Sequence, residues 1–237
     1  MSSFLFSATK GKKEDTLLYQ NRKATFFFKE DNTDALAVVY NKAIDFAIQE
    51  NVDYLVLCHD DAIIESADFE ERLINLHTQY DVLGVAGTTE CKLQAPALWH
   101  LLGGGRETFN NLRGAVAHGD ANLKRMTSFG EYPARVLLLD GVFLSIKKEV
   151  FTKVRFDESC PAKFHFYDLN YSLECNKAKF KLGVSDILIT HNSPGLTAFT
   201  NEFNEGQEWF LNKWKPNTEK IKTKKIKTRK KTKRTLV

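Results

Sequence analysis

The chain has 237 residues, 43% of them hydrophobic and 18 of them Phe, which is enough for one large α/β domain or two small ones. It contains no apolar run of about eighteen residues, the length a membrane-crossing helix needs. The net charge of +4 conceals an asymmetry: residues 215–237 carry eleven Lys/Arg against one acid, Glu219, leaving 23 bases against 29 acids in the first 214. The body is therefore mildly acidic and the basic character belongs to the tail.

The N-terminal patch Phe4–Phe6 precedes Lys10, Lys12 and Lys13, the reverse of a signal peptide's order. Cys58, Cys91, Cys160 and Cys175 form no paired metal spacing and no disulfide framework, so a reducing, cytoplasmic setting is expected.

Taken in order, Ser3–Ser7 predicts a first strand ending in Ala-Thr-Lys-Gly, and Lys23–Phe28 a second, closed by the polar Lys29-Glu30-Asp31-Asn32. Asn32 or Thr33 is placed to cap a helix whose Leu36, Val39, Tyr40, Ala43, Ile44 and Ala47 recur at three- and four-residue steps. Asn41 lies beside that apolar face, either as a solvated polar residue or as a ligand contact.

Tyr54–Cys58 is an unbroken, largely apolar run, the pattern of a strand buried on both faces. It stops at His59-Asp60-Asp61, three side chains able to bind a metal or protons. In open α/β sheets ligands sit at the carboxyl ends of strands. Carboxylates suit hard divalent cations, and imidazole joins them on softer ones such as manganese. A polar loop with a helix cap is the alternative reading.

Asp68 with Glu71 predicts a capping box, opening a helix with Phe69, Leu73, Leu76 and Tyr80 on one face. Val82–Ala86 follows as a fourth strand, and the strand–helix alternation predicts a mostly parallel sheet flanked by helices. Residues 88–134 then lose periodicity. They hold Leu98-Trp99-His100, the glycine run Gly103–Gly105 with Arg106, and a second glycine stretch from Gly114 to Gly119. A long irregular segment of this kind is usually functional or mobile.

Order resumes at Arg135–Ile146, where two apolar runs flank Asp140-Gly141, so that one strand kinks or two meet there. Asp140 is either a turn aspartate or a carboxylate aimed into a cleft. Phe164–Phe180 reads as a short amphipathic helix with Asp168 at or near its N-terminus, as an ordinary helix cap or as a general base in a partly desolvated site. Val184–Thr190 is the last strand, and His191 ends it before a Pro/Gly loop, as His59 ends another. Gln207–Trp214 predicts a final helix, and the Lys/Thr-rich tail cannot bury enough apolar area to fold alone.

Four segments together, spread over roughly residues 3–214, resemble the GT-A fold glycosyltransferases, in particular the compact family 2-like members of bacteria and phages. They are Asn32 with Tyr40-Asn41-Lys42-Ala43-Ile44; Leu55-Val56-Leu57-Cys58-His59-Asp60-Asp61; Leu139-Asp140-Gly141-Val142-Phe143; and Phe166-Tyr167-Asp168-Leu169-Asn170 with Thr190-His191-Asn192-Ser193-Pro194-Gly195. The resemblance implies one GT-A domain over residues 1–214 and a separate basic tail over 215–237. It equates His59-Asp60-Asp61 with the family's Asp-x-Asp motif, with His59 in place of the first aspartate. Asp61 would bind a divalent metal, Mn²⁺ first and Mg²⁺ as the alternative, with His59 and His191 as further ligands.

By the same resemblance Asp168 would be the base of an inverting transfer, and Asn170 replaces a carboxylate often found two residues later. The donor, a nucleotide-diphosphate sugar, would lie against Ser7, Thr9, the Glu30-Asp31-Asn32 loop, Asn41, Asp60 and Arg106. Trp99, Asp140, Gly141 and Tyr167 would face the sugars, and the acceptor would be a glycan or lipid-linked hydroxyl. The basic tail could solubilise the chain, hold it peripherally on an anionic membrane, or contact nucleic acid with modified DNA as acceptor. Two other classes compete. A sugar-phosphate nucleotidyltransferase would carry a glycine-rich basic loop after the first strand, which Ala8-Thr9-Lys10-Gly11-Lys12-Lys13 matches poorly. A non-catalytic glycan- or acidic-polymer-binding module of the same fold would tolerate Asp168→Asn.

Overall fold

The computed structural model describes residues 2–21, 24–100, 110–120, 122–193 and 199–215. Arg106, the glycine run before it and residues 216–237 lie outside the described residues. No described helix is long and apolar enough to cross a membrane.

The centre of the molecule is β3 (Tyr54–Cys58), four of whose five residues are fully buried. Val56 and Cys58 pack into one core cluster, whereas Leu55 and Leu57 pack into another on the opposite face. Burial on both faces is why this strand has no polar alternation. Around it lie β1 (Ser3–Ala8), β2 (Phe27–Lys29), β5 (Val82–Gly84), β9 (Ala134–Val136), β11 (Phe143–Lys147) and β12 (Leu182–Val184), in the order β2-β1-β3-β11-β5-β12-β9. The fold is α/β, and the sheet is mixed. β1 pairs parallel with β2 and β3, and β5 with β12, while β11 runs antiparallel to both β3 and β5, and β9 to β12.

A second sheet contains β10 (Leu138–Leu139), β6 (Ala86–Thr88), β7 (Leu112–Gly119), β13 (Ile189–His191) and β4 (Ala62–Ile64), with β8 (Lys124–Ser128) hairpinned onto β7. The β7–β8 hairpin falls where the sequence predicts irregular chain. The other departures share one cause. Val82–Ala86, Arg135–Ile146 and Val184–Thr190 each read as one or two strands, yet each passes from the large sheet to the small one or back again. Residues at the crossings, such as Val85 and Leu137, stay buried, so the apolar pattern does not break where the strand does. The sheets approach closely there: a Cβ on Gly84 of β5 would come within 2.8 Å of the Leu139 side chain of β10.

Helices join and flank these strands. α1 (Leu17–Gln20) sends the Leu18 N–H to the Asp60 carbonyl at 3.1 Å. α2 (Leu36–Gln49) buries the predicted face against the Leu55 and Leu57 side of β3. Neither Asn32 nor Thr33 caps it: Ala35 is the N-cap, the Leu36 N–H reaches the Lys163 carbonyl at 2.9 Å, and Asn32 turns back on the Asp34 N–H at 3.2 Å. α3 (Phe69–Leu76) likewise lacks the predicted capping box, because Asp68 pairs with Arg72 instead. After α4 (Lys148–Phe151), α5 (Tyr167–Lys177) carries Asp168 in its first turn. The last helix, α6 (Asn201–Trp214), starts six residues before the prediction, with the Thr200 hydroxyl accepting the Phe203 N–H at 3.1 Å.

Candidate active site

The chain crosses between the two sheets at His59-Asp60-Asp61 and again at Asp140-Gly141-Val142, and β13 ends at His191 in the same place. The reversal after β3 is held by the His59 N–H on the Val142 carbonyl at 3.0 Å, and the Asn192 N–H on the Asp61 carbonyl at 3.0 Å. Segments far apart in sequence thus bring His59, Asp61 and His191 together, with one ligand atom of each within 4.8 Å of the others.

Asp61 Oδ1 lies 3.2 Å from His191 Nε2 and 4.0 Å from His59 Nδ1. Both Asp61 Oδ1 and His191 Nε2 are buried, and among the described residues neither has a polar partner beyond this site. Ligands sharing an ion at about 2.1 Å sit roughly 3–4 Å apart, so the spacing and the orphaned atoms both fit a divalent metal. Burial presses the Asp61 carboxyl upward, but the His191 contact and the His59 charge outweigh it and leave it below the usual range. Burial also presses His191 down, and the Asp61 contact and charge outweigh that, so His191 is raised. His59 is lowered by burial and by His191.

Asp168 lies beside this group. Its two oxygens accept the Gly141 N–H at 2.9 Å and the Leu169 N–H at 2.8 Å. Those bonds and the helix N-terminus favour the carboxylate, yet burial, followed by the charge of Asp140, pushes its pKa up to about 7. A carboxyl poised there is suited to take a proton near neutrality. Asp140 satisfies both predicted readings at once: Oδ1 accepts the Val142 N–H at 3.0 Å in the turn, and the residue lines a cleft of about 470 Å³. That volume lies in the range of small-molecule sites.

The cleft runs from His191 and Asp140 to Trp99, His100, His118 and Phe129. Trp99 is only 4% exposed and packs against Phe129 at 5.7 Å, so it forms a wall rather than a free platform. His100, His118 and His165 also line it and were not singled out by sequence reasoning. Of the chain's six histidines four line the cleft and His59 stands behind it in the triad, whereas His77 lies apart, bonded to the buried Ser145 hydroxyl at 2.9 Å. His118, the last residue but one of β7, pairs in register with His191, the last residue of β13, which brings both to the cleft.

At the carboxyl ends of β1 and β2, Thr9 exchanges backbone bonds with Lys29 and Asn32 at 3.0 and 2.8 Å, which joins the predicted donor loops. Ser7 is buried, and its hydroxyl has no partner among the described residues. Glu30 accepts the Lys13 N–H at 3.2 Å, and Asp31 pairs with Lys12. Asp60 uses its carbonyl to anchor α1.

Two assignments change. Asn41 is not a donor contact: its amide donates to the Phe156 carbonyl at 2.9 Å and accepts the Phe156 N–H at 3.0 Å, tying α2 to the loop before α5. Asn41→Ala is therefore expected to cost about 1–3 kcal/mol in urea unfolding, through unpaired groups at Phe156, with donor affinity unchanged. Tyr167 does not face a sugar either. It is buried, and its hydroxyl contacts His59 Nε2 at 2.8 Å and donates to the Gly141 carbonyl at 3.3 Å. Gly141 is required by this packing, since a Cβ there would fall 2.1 Å from the Tyr167 oxygen.

The fold is shared with A197 from STIV, which superposes with a TM-score of 0.50 at 17% identity, over 81% of this chain and 86% of that one. Fainter likenesses, too weak to bear on function, are to an inositol-1-phosphate CTP transferase from T. maritima (TM-score 0.40, 9% identity, 89% and 78% covered) and to a glycosyltransferase involved in glycosylating the major capsid of PBCV-1 (0.34, 11%, 88% and 91%). Comparison with curated protein sequences finds no significant match. The family model described as "Glycosyltransferase like family" matches residues 22–229, a span that takes in the motif after β3, the Asp140-Gly141 crossing, Asp168 and His191, and the chain accordingly belongs to that family.

Proposed function

We propose that the chain transfers a sugar from a nucleotide-diphosphate donor to the hydroxyl of a glycan or lipid-linked acceptor, with inversion at the anomeric carbon. The observation that carries this reading is the meeting, at one seam between two sheets, of the His59–Asp61–His191 triad and a carboxyl at Asp168 held near pH 7. A bound divalent ion would supply charge neutralisation at the departing diphosphate, with His59, Asp61 and His191 holding it. Two imidazoles and one carboxylate suit Mn²⁺ better than Mg²⁺.

Asp168 takes the proton of the acceptor hydroxyl. The acceptor oxygen bonds to the anomeric carbon as the bond from that carbon to the phosphate oxygen breaks, and the electron pair leaves with the nucleoside diphosphate. The Thr9 and Glu30-Asp31-Asn32 loops hold the nucleotide. The cleft toward Trp99 and His100 takes the acceptor, its apolar walls excluding water. The cytoplasm, where nucleotide sugars are available, is the proposed site of action, peripheral to a membrane if the acceptor is lipid-linked.

The test is a thermal-shift and donor-hydrolysis panel of UDP-, GDP-, CMP- and dTDP-sugars, each with Mn²⁺, Mg²⁺ or EDTA. One donor is expected to shift the midpoint with Mn²⁺ and not with EDTA. No shift with any donor would return the chain to a binding module of this fold.

A further inference from the structure

We propose that Tyr167 is a positioning residue that fixes the ring of His59, so that Nδ1 is presented to the metal and Nε2 carries the proton. This inference rests on the metal-dependent reading of the site and concerns how a histidine can serve in a motif position where the resemblance leads one to expect an aspartate.

The argument begins at Gly141. Its peptide is buried, its N–H goes to Asp168 Oδ2 at 2.9 Å, and its carbonyl accepts one described donor, the Tyr167 hydroxyl at 3.3 Å. A buried carbonyl needs a donor, so the Tyr167 proton points to Gly141. The lone pairs of the same hydroxyl then face His59 Nε2 at 2.8 Å, and an oxygen lone pair there requires a proton on Nε2. Neutral imidazole carries only one, so Nδ1 is left as a bare lone pair. It faces Asp61 Oδ1 at 4.0 Å, and that oxygen in turn faces His191 Nε2 at 3.2 Å. A bare Nδ1 lone pair and a carboxylate oxygen turned toward each other, with a second imidazole on the same oxygen, form a set of donors that a cation can bridge. The tyrosine hydroxyl thus does for His59 what a carboxylate or carbonyl does for many metal-bound histidines.

The construction is rigid. The Tyr167 ring lies against Tyr40 at 5.6 Å and Phe156 at 6.2 Å, and the hydroxyl sits where only a glycine at 141 leaves room. Gly141 also links the two halves of the site, since one peptide holds both the base Asp168 and the tyrosine that orients the ligand His59.

The experiment is Mn²⁺ titration of the full chain without donor, by calorimetry, on wild type, Tyr167→Phe, His59→Ala and the double variant. Tyr167→Phe keeps the ring packing and is expected to weaken Mn²⁺ binding about 10–100-fold, with no further loss when added to His59→Ala. Wild-type affinity in Tyr167→Phe, or losses that add in the double variant, would overturn the inference. Absence of Mn²⁺ binding by wild type would instead overturn the metal reading beneath it. If Tyr167→Phe does not fold, two-bond proton–nitrogen correlation of the metal-free wild type decides the matter: a His59 proton on Nε2 supports the inference, and one on Nδ1 refutes it.

Discussion

Asp168→Asn is expected to lower sugar transfer by about 10²–10⁴-fold, the usual contribution of a positioned general base, while leaving Mn²⁺ and donor binding at wild-type levels. Asparagine keeps an oxygen for the Gly141 or Leu169 N–H but cannot take a proton. The wild-type rate should rise with pH through a limb centred near 7, because burial and Asp140 hold the Asp168 carboxyl protonated below that value. In the variant the limb should vanish with the activity. The same shift has a consequence for stability. Asp168 ionises near 3.8 in the unfolded chain and near 7 in the folded one, so between those values the folded state binds more protons and loses stability as pH rises. The variant never carries that charge, so metal-free Asp168→Asn should melt above wild type at pH 8, by less at pH 5, and level with it only below the unfolded value of 3.8. Full transfer activity in the variant would remove Asp168 as the base.

Much of this site was legible in the chain because a buried strand announces itself by losing polar alternation and then stopping. Tyr54–Cys58 ends at His59 for that reason, and the second strand-ending histidine, His191, stands out in the same way. What was not legible involves contacts between distant segments. The crossings at Val85 and Leu137 are apolar on both sides, so periodicity carries no mark of the change of sheet. Asn41 looks the same as a ligand residue or a structural one until Phe156, 115 residues away, is seen to take both ends of its amide. The resemblance sets Tyr167 against the sugars, whereas its hydroxyl faces His59 after β3, 108 residues away in sequence. Asp140 could be read either way from sequence because both readings hold: a turn needs the carboxylate's one oxygen and the cleft can use the other.

Asp61→Asn is expected to abolish measurable Mn²⁺ binding and, with it, any donor-induced thermal shift, since Asp61 Oδ1 is the atom nearest both imidazoles. The substitution keeps the side-chain shape and removes only the charge, so the Asn192 N–H bond to the residue's carbonyl is untouched. In wild type the affinity should climb with pH. Asp61 raises His191, so as pH falls the ion competes with a proton on that ring; one displaced proton limits the slope to about tenfold per pH unit. Metal-free stability should show the opposite partner effect. Asp61, lowered by His191, contributes above its unfolded value and loses the contribution as pH falls through its folded one, while His191 contributes below its unfolded value and loses it as pH rises through its raised folded one. The pair therefore stabilises the empty site in the weakly acidic range, where metal binding is weakest, and the ion takes over the same two side chains as the pH rises. A donor-induced shift that survives both EDTA and Asp61→Asn would keep the nucleotide-sugar site and remove the metal from it.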